Sequence, residues 1–417
     1  MNIENQIEAI WRMDCAPVIA SLYATLHDFA SAEDIAQEVF IAAWQQWPVD
    51  GVPDNPRHWL LKVARHKALD FLRRTQVRIR FSETVNSELF SFSEPVDVTF
   101  SSDADEMLNL LWVTCHPKLT VEQQSALILS SFFGLTSAVI ARLFFTNDAT
   151  IKKRIQRAKD CLSTIEALEP LSAQKRLESQ LSTVLNTLYV MFKQGYAPVE
   201  GAQWMNRELA EFAIRMTRIL AGMVKDNADV LGLLALMEFQ FSRFRARYHN
   251  GLPVLFEHQD RRLWDHTLIH HAQHLIKQML QLLLKNDTRP TSLVLQALIA
   301  QCYSVAPKHT SIDWAKIEFY YQHLLTIAYS PLIHLNYTIV LGERYGADVA
   351  LTELNELARE PTLQRYHYFY AVKADYLIKL NKLEDAKEAL ASAIGFATNQ
   401  AEKKMLEQKR RELTSAE

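Results

Sequence analysis

Between Arg57 and Arg80 the chain carries Arg57, Lys62, Arg65, Lys67, Arg73, Arg74, Arg78 and Arg80 against Asp70 alone. Cations crowded in this way repel one another unless a polyanion neutralises them, so the chemistry on offer is phosphate binding. Just upstream, Asp34, Gln37, Glu38 and Gln45 form a set of opposite character. Farther on, Lys152, Lys153, Arg154, Gln156, Arg157 and Lys159 make a second basic set. Candidates for bond chemistry are poorer. Cys115-His116 places a thiol beside an imidazole, but Pro117 follows and no third group orients the pair. His266, His270 and His274 fall four residues apart on one helix face, with His271 adjacent. No carboxylate or cysteine at ligand spacing completes a zinc set, so an exposed polar stripe is expected. No Walker loop, dinucleotide fingerprint or zincin motif occurs. The sequence therefore predicts binding without a catalytic residue, metal or cofactor.

The elements that must position these sets read as helices. Ser31 with Asp34 three residues on is a capping signal. After it Ile35, Val39 and Ala43, and likewise Ala36, Phe40 and Trp44, recur every four residues and predict one broad buried side. Asp34, Gln37, Glu38 and Gln45 fall opposite and stay wet, and Pro48 is expected to end the helix. Asn55-Pro56 restarts one, an N-cap followed by proline at the first helical position. Trp59, Leu60, Val63, Ala64 and Phe71 make its apolar side. Upstream, residues 2–27 read as one or two helices that bury Ile7, Ile10, Trp11, Val18, Ile19, Leu22 and Leu26.

Residues 81–102 are Ser-rich, acidic and aperiodic, as a linker is. Val121 to Phe133 is then an amphipathic helix stopped by Gly134. A short helix from Ser137 to Leu143 follows, and Asn147 or Asp148 caps the next. Helix, tight turn and helix, with Ile140, Leu143, Ile151 and Ile155 between them, is a helix-turn-helix. Its second helix is expected in the major groove, with Thr150, Lys152, Lys153, Arg154 and Arg157 meeting DNA.

At 417 residues with only ten glycines, the chain is long enough for two to four domains and mostly helical. An all-α fold is expected. The net charge of −3 hides the local asymmetry. Cys15, Cys115, Cys161 and Cys302 are scattered without a C-x-x-C, which suggests reduced thiols in a cytoplasmic protein. The N-terminal MNIENQIEAIW lacks a signal-peptide pattern, and the longest apolar run, Val230 to Met237, is too short to span a bilayer. No membrane role is expected. From Ser172 onward long amphipathic helices dominate. Asp260, Arg261, Arg262 and Asp265 read as a structural ion-pair corner. Ala350 and Leu354 recur as Ala386 and Leu390, and Leu341 as Leu377, near the tetratricopeptide period of roughly 34 residues. Stacked helical units are expected over Trp314–Leu357 and Tyr366–Leu413, presenting a groove to a partner.

Two further patterns carry a resemblance. The run E-D-x-x-Q-E-V-F-x-x-x-W, followed by W-L-x-x-x-A-R-x-x-A-L-D-x-x-R-R, resembles region 2 of bacterial RNA polymerase sigma factors of the extracytoplasmic-function group. The stretch C-H-P-x-L-x-x-E-x-x-x-A-L, with G-L-T-x-x-x-I-A-R-x-F and T-x-x-x-R-x-x-R-A-K after it, resembles region 4. W-P-x-D-G-V-P-x-N-P, LNTLYVMFKQGY and HQDRRLWD are similar to the subgroup with a tetratricopeptide-like extension. Lys193-Gln194 departs from that subgroup's usual Asn-Glu.

The resemblance implies a domain plan of 1–80 (region 2), 81–102 (linker), 103–168 (region 4), 172–285 (helical extension) and 290–417 (repeats). It implies that Asp34, Gln37, Glu38 and Trp44 grip core RNA polymerase through its β′ and β subunits. It also implies that Asp50, Asn55, Trp59, Lys62, Arg65, His66, Arg73 and Arg74 serve the −10 element. In the family the Pro48–Asn55 loop forms a pocket for a flipped base, and the region-4 helix reads the −35 element. Promoter DNA and core polymerase are thus the expected partners, with a regulatory protein on the repeats as a further one. Two other readings compete: a helix-turn-helix regulator with a ligand- or protein-sensing repeat domain, and a tetratricopeptide adaptor without DNA function. The regulator reading explains residues 135–160 but leaves the acidic-plus-basic pair at 31–80 unexplained, and run-off transcription with core polymerase separates the adaptor.

Overall fold

The computed structural model describes residues 3–83, 103–144, 146–166, 173–196, 206–249 and 252–415. The fold is all-α, with two two-residue strands as the only sheet among the described residues. The chain divides into two units, Met1–Val190 and Met191–Glu417.

The first unit is built on α1 (Ile3–Leu26), a single helix that carries Pro17 in its interior. α1 packs on α2 (Phe29–Asp50) and α3 (Pro56–Glu83), and also on α4 (Asp103–Thr114) and α5 (Val121–Phe133). Cys15, Val18, Ile19 and Leu22 of α1 are buried in that seam. The cap of α2 lies three residues before the expected one. Asp28 is the N-cap, because its carboxylate accepts from the amides of both Ala30 and Ser31. The Ser31 hydroxyl donates to the same carboxylate instead of capping. Pro48 does not end the helix either. It sits inside the last turn, where one lost amide costs little, and Gly51 with φ of 85° makes the stop by donating to the Trp47 carbonyl. Asn55 caps α3 as expected, its side-chain oxygen accepting from the His58 amide at 3.0 Å.

α5 opens with a capping box, Thr120 and Gln123 exchanging hydrogen bonds with each other's backbone amides, and closes on Gly134 in the left-handed conformation. α6 (Ser137–Leu143) and α7 (Asp148–Glu166) complete the helix-turn-helix, with Thr136 capping α6. Asn147 rather than Asp148 caps α7, accepting from the Thr150 amide at 2.8 Å. Ile140, Leu143 and Ile151 are buried between them, while Ile155 is half-buried.

One buried amide organises the loop before α5. Gln124 donates through Nε2 to the carbonyls of His116 (2.9 Å) and Leu119 (3.1 Å). Its Oε1 accepts from the hydroxyl of Thr187 on α8 (Ala173–Tyr196). Thr187 is wholly buried beside Val184 and Leu188. Gln124→Leu therefore leaves the Leu119 carbonyl unpaired in the interior, while the His116 carbonyl keeps the Leu119 amide and the Thr187 hydroxyl keeps the Thr183 carbonyl. We expect it to cost about 1–3 kcal/mol, read as a lower urea midpoint for the loss of α5 amide protection. A loss below about 0.5 kcal/mol would show that water satisfies that carbonyl instead.

In the second unit α9 (Arg207–Met223) and α11 (His266–Asn286) flank α10 (Ala228–Ser242), whose apolar run is buried on all sides, with α12 (Ser292–Val305) closing the layer. Inside lies Glu238, fully buried. It accepts from Arg218 at 2.7 Å, and its other oxygen meets His271 Nδ1 at 2.6 Å. Then follow α13 (Trp314–Ile327), α14 (Pro331–Tyr345), α15 (Ala347–Leu357), α16 (His367–Lys379), α17 (Leu383–Phe396) and α18 (Gln400–Ser415), each packed on the next where described. The repeat read from the sequence is a core repeat: Ala350, Leu354, Ala386 and Leu390 are all fully buried in one cluster. Gly342 of α14 is required there, since a Cβ would lie 2.4 Å from the Tyr376 hydroxyl.

Candidate polymerase and promoter interface

α2 splits into two faces as its periodicity demands. Ile35, Ala36, Val39 and Ala43 are buried, and Asp34, Gln37 and Glu38 are exposed. Trp44, expected on the buried side, is instead partly exposed, at 40 %. Its ring packs tilted against Phe40 at 5.8 Å, which itself lies 4.9 Å from Trp11, so one edge of the helix is an aromatic ridge beside carboxylates. Ile41 is exposed on the same helix. A carboxylate and amide row flanked by an open tryptophan suits a protein partner, because aromatic anchors with a charged rim concentrate binding energy.

On α3, Leu60, Ala64 and Ala68 are buried, and Lys62, Arg65, His66, Arg73 and Arg74 are exposed. Phe71, read as apolar-side, is 38 % exposed. Lys67 turns back to Glu38 at 2.8 Å, and Arg73 pairs with Asp70 at 3.5 Å. Both pairs are open to solvent and weak, so the cations stay available to phosphate. Residues 81–83, read as the start of the linker, instead continue α3, and the rest of it, 84–102, lies with the side chains of Arg78 and Arg80 outside the described residues. Asp50 and Asn55 are exposed at the two ends of the α2–α3 connection. Trp59 is half-buried with its ring edge-on to the buried Trp47 at 5.2 Å. Packing is its first role.

On α7, Lys152, Lys153 and Arg157 are exposed, and Thr150 and Arg154 are half-buried. Thr150 already donates its hydroxyl to Asn147 at 2.9 Å. Lys152 pairs with Asp148, which with the Ser137 hydroxyl holds that carboxyl below its usual range. Lys153 and Arg157, four apart, share one free face.

The other sequence candidates resolve without chemistry. Burial pushes the Cys115 thiol up to about 12, and Cys15 likewise, so at pH 8 only about one thiol in 10⁴ of each is ionised. His116 is used locally, its Nδ1 accepting from the Lys118 amide. Iodoacetamide should therefore modify the half-buried Cys161 of the native chain first, as peptide mapping will show. Early alkylation of Cys115 would contradict its burial. His266, His270 and His274 are exposed, and no cluster that could hold a metal occurs among the described residues. In the Asp260–Asp265 corner, only Asp260 and Arg262 pair, at 2.8 Å, while Asp265 caps α11. Arg261 was expected to join them. It instead stacks over Trp264 at 4.2 Å and donates to the carbonyls of Tyr303 and Ala306.

Two residues escaped the sequence reading. Glu33 is charged yet buried on α2, and Lys159 of α7, read as one of the basic set, reaches it instead. Thr187 joins α8 to Gln124. A charged residue on the apolar side of α2 was the available signal for Glu33; nothing local marks Thr187.

Comparison with known proteins matches this architecture piece by piece. Sigma-70 region 2 matches residues 16–78, and sigma-70 region 4 matches residues 110–162. The probable RNA polymerase sigma-C factor of Mycobacterium bovis is 31 % identical over 33 % of this chain and 72 % of its own length. The chain belongs to the extracytoplasmic-function RNA polymerase sigma factors. The sigma factor SigK of Mycobacterium ulcerans is 26 % identical over 36 % of the chain and 81 % of its own length. Such relatives cover about a third of the chain. An uncharacterized protein of Rhizobium meliloti is 33 % identical over 89 % of the chain and 87 % of its own length, so the similarity extends well beyond the two sigma regions. Residues 180–280 of the extension match a family of unknown function, DUF6596. No solved structure matches. No helix among the described residues is long and apolar enough to cross a membrane.

Proposed function

We propose that this sigma factor acts by binding alone: it recruits core RNA polymerase through α2, holds the opened −10 strand with α3, and reads the −35 element with α7. The exposed sets on these three helices carry the reading, because each has the sign its partner requires. Asp34, Gln37, Glu38 and Trp44 face the polymerase. Lys62, Arg65, His66, Arg73 and Arg74 track phosphates, with Asp50, Asn55 and Trp59 around a base turned out of the stack. Lys153, Arg154 and Arg157 enter the major groove with Thr150 and Lys152 at its edge. The domain plan of region 2, linker, region 4, helical extension and repeats organises these tasks along the chain.

The extension regulates that activity in cis and offers its stacked repeats to a regulatory protein. Because Thr187 completes the core around Gln124, a shortened chain must keep α8. Transcription from a promoter of this factor is expected to change several-fold when a chain ending after Tyr196 replaces the full chain. Equal output from both would remove the regulatory part of the reading.

A further inference from the structure

One corner of the second unit holds two arginines that no carboxylate among the described residues pairs with. Arg243 and Arg261, from the connection between α10 and α11, lie over the same two rings. The Arg243 guanidinium is 4.9 Å from the centre of Phe256 and 5.9 Å from that of Trp264. For Arg261 the distances are 5.4 Å and 4.2 Å. The acidic groups of this connection are used elsewhere: Asp260 pairs with Arg262, Asp265 caps α11, and Glu257 stands 3.9 Å from His258. Burial first, and the Arg243 charge second, hold the Arg261 pKa below its ordinary value. Like charges are therefore crowded in a place poor in water.

Hydrogen bonds leave the same deficit. Arg261 spends Nη1 on the carbonyls of Tyr303 and Ala306, and its buried Nη2 has no acceptor. Arg243 donates through Nη2 to the Tyr196 hydroxyl at 3.2 Å, and its buried Nε has no acceptor either. Trp264, only 4 % exposed, leaves its Nε1–H unpartnered against these same guanidiniums. A buried donor without an acceptor is costly, and three in one corner ask for a reason. Ring stacking explains why the arginines lie flat. It does not explain why their inner edges and the indole go unserved. An oxyanion would neutralise both charges and accept from all three donors at once.

We propose that this corner binds a small phosphomonoester, its phosphate group held between Arg243, Arg261 and Trp264. Charge and acceptor count select phosphate over carboxylate. Near neutral pH the group carries roughly two negative charges and three acceptor oxygens, which match two guanidiniums and an indole. The walls select a small ligand. Arg243, Arg261, Phe256 and Tyr303 are half-buried and Trp264 is shut in, so the corner is a recess and not an open face. Phe256 stands on a three-residue turn outside the long helices, and it is the wall that gives way as the ligand enters. Through Nη1, Arg261 also holds the C-terminal end of α12, so a ligand on its other edge stiffens the joint between that helix and the connection before α11. The site stands on these side chains alone; that its ligand sets the output of the extension rests on the regulatory reading above.

Phosphorus NMR of phenyl phosphate and of inorganic phosphate, each titrated with the full chain at constant ionic strength, tests this. Line broadening is expected to saturate with ligand and to be competed by sulfate, which has the same tetrahedral shape. The basic sets on α3 and α7 also attract phosphate, so variants fix the place. Arg261→Lys keeps the charge and loses the fork, and should weaken phenyl phosphate binding about tenfold. Trp264→Phe keeps a ring and removes the donor, and should weaken it about fivefold. Lys153→Ala should leave it unchanged. Circular dichroism checks each fold. Without any variant, phenyl phosphate should shield Arg243 and Arg261 of the native chain from phenylglyoxal, as peptide mapping reads. Broadening that both corner variants keep in full, none at tens of millimolar ligand, or phenylglyoxal attack on Arg243 and Arg261 that the ligand does not slow would each overturn the proposal. A chain that binds phenyl phosphate here, yet transcribes alike with and without it, would keep the site and count against the regulatory reading instead.

Discussion

A chain carrying Asp34→Lys and Glu38→Lys binds core RNA polymerase at least roughly a hundredfold more weakly than the native chain. Both side chains point outward from α2, so the helix and its buried side of Ile35, Ala36, Val39 and Ala43 survive. The exposed Glu38–Lys67 pair they disturb is worth no more than about 1 kcal/mol. At the interface the same change sets four units of charge against a surface chosen for carboxylates, and like charges there cost several kcal/mol. At ~1.4 kcal/mol per tenfold, the loss exceeds two decades. Asp34 also lies 3.4 Å from Lys159, an exposed contact that the variant removes and that is worth as little. Equilibrium binding of labelled chain to purified core, with circular dichroism as the folding control, decides it. Retained affinity would remove α2 as the polymerase grip.

The second large effect lies on α7. Arg154→Ala with Arg157→Ala should lower transcription from a −35-dependent promoter by roughly a hundredfold. A bidentate arginine on a guanine edge discriminates by about 1–3 kcal/mol, and two such contacts reach that range. Lys153→Ala, a phosphate contact by type, should instead weaken all sequences alike and flatten the salt dependence by about one unit of slope. Neither change disturbs the helix-turn-helix core, where Ile140 and Ile151 are fully buried. Single-round transcription on a promoter and on the same promoter with its −35 element scrambled measures both. If the double variant transcribes the two templates with the native preference, α7 does not read that element.

How far these helices were legible follows from what sets each feature. Periodicity and local capping fixed α5 and α6 to the residue, because Thr120, Thr136 and Gly134 act within one turn of themselves. It failed at the ends of α2, where two signals competed. Asp28 outranked Ser31 by accepting two amides at once, and a proline in the last turn of a helix breaks less than one in its middle. Trp44 was misread because period alone cannot tell a buried stripe from the edge of an exposed one. The internal repeat was visible because Ala350, Leu354, Ala386 and Leu390 are small or branched apolar residues at positions that must be filled in every unit.

Contacts between distant elements were out of reach. Lys159 with Glu33, Thr187 with Gln124, and Arg218 and His271 around the buried Glu238 each join helices far apart in the chain. No local pattern reports such partners. A charge in an apolar stripe, such as Glu33 or Glu238, says only that a partner must exist. These unsatisfied demands in the sequence are where the structure adds most to the functional reading.

The account turns on the chain being a factor that opens promoters with core polymerase. Permanganate footprinting of a promoter it directs, with purified full chain and core enzyme, tests this in one experiment. Unpaired thymines should appear around the −10 element only when chain and core are both present, with a specific transcript started downstream. A promoter that stays fully paired under those conditions, with the chain and core migrating apart at low salt, would contradict it.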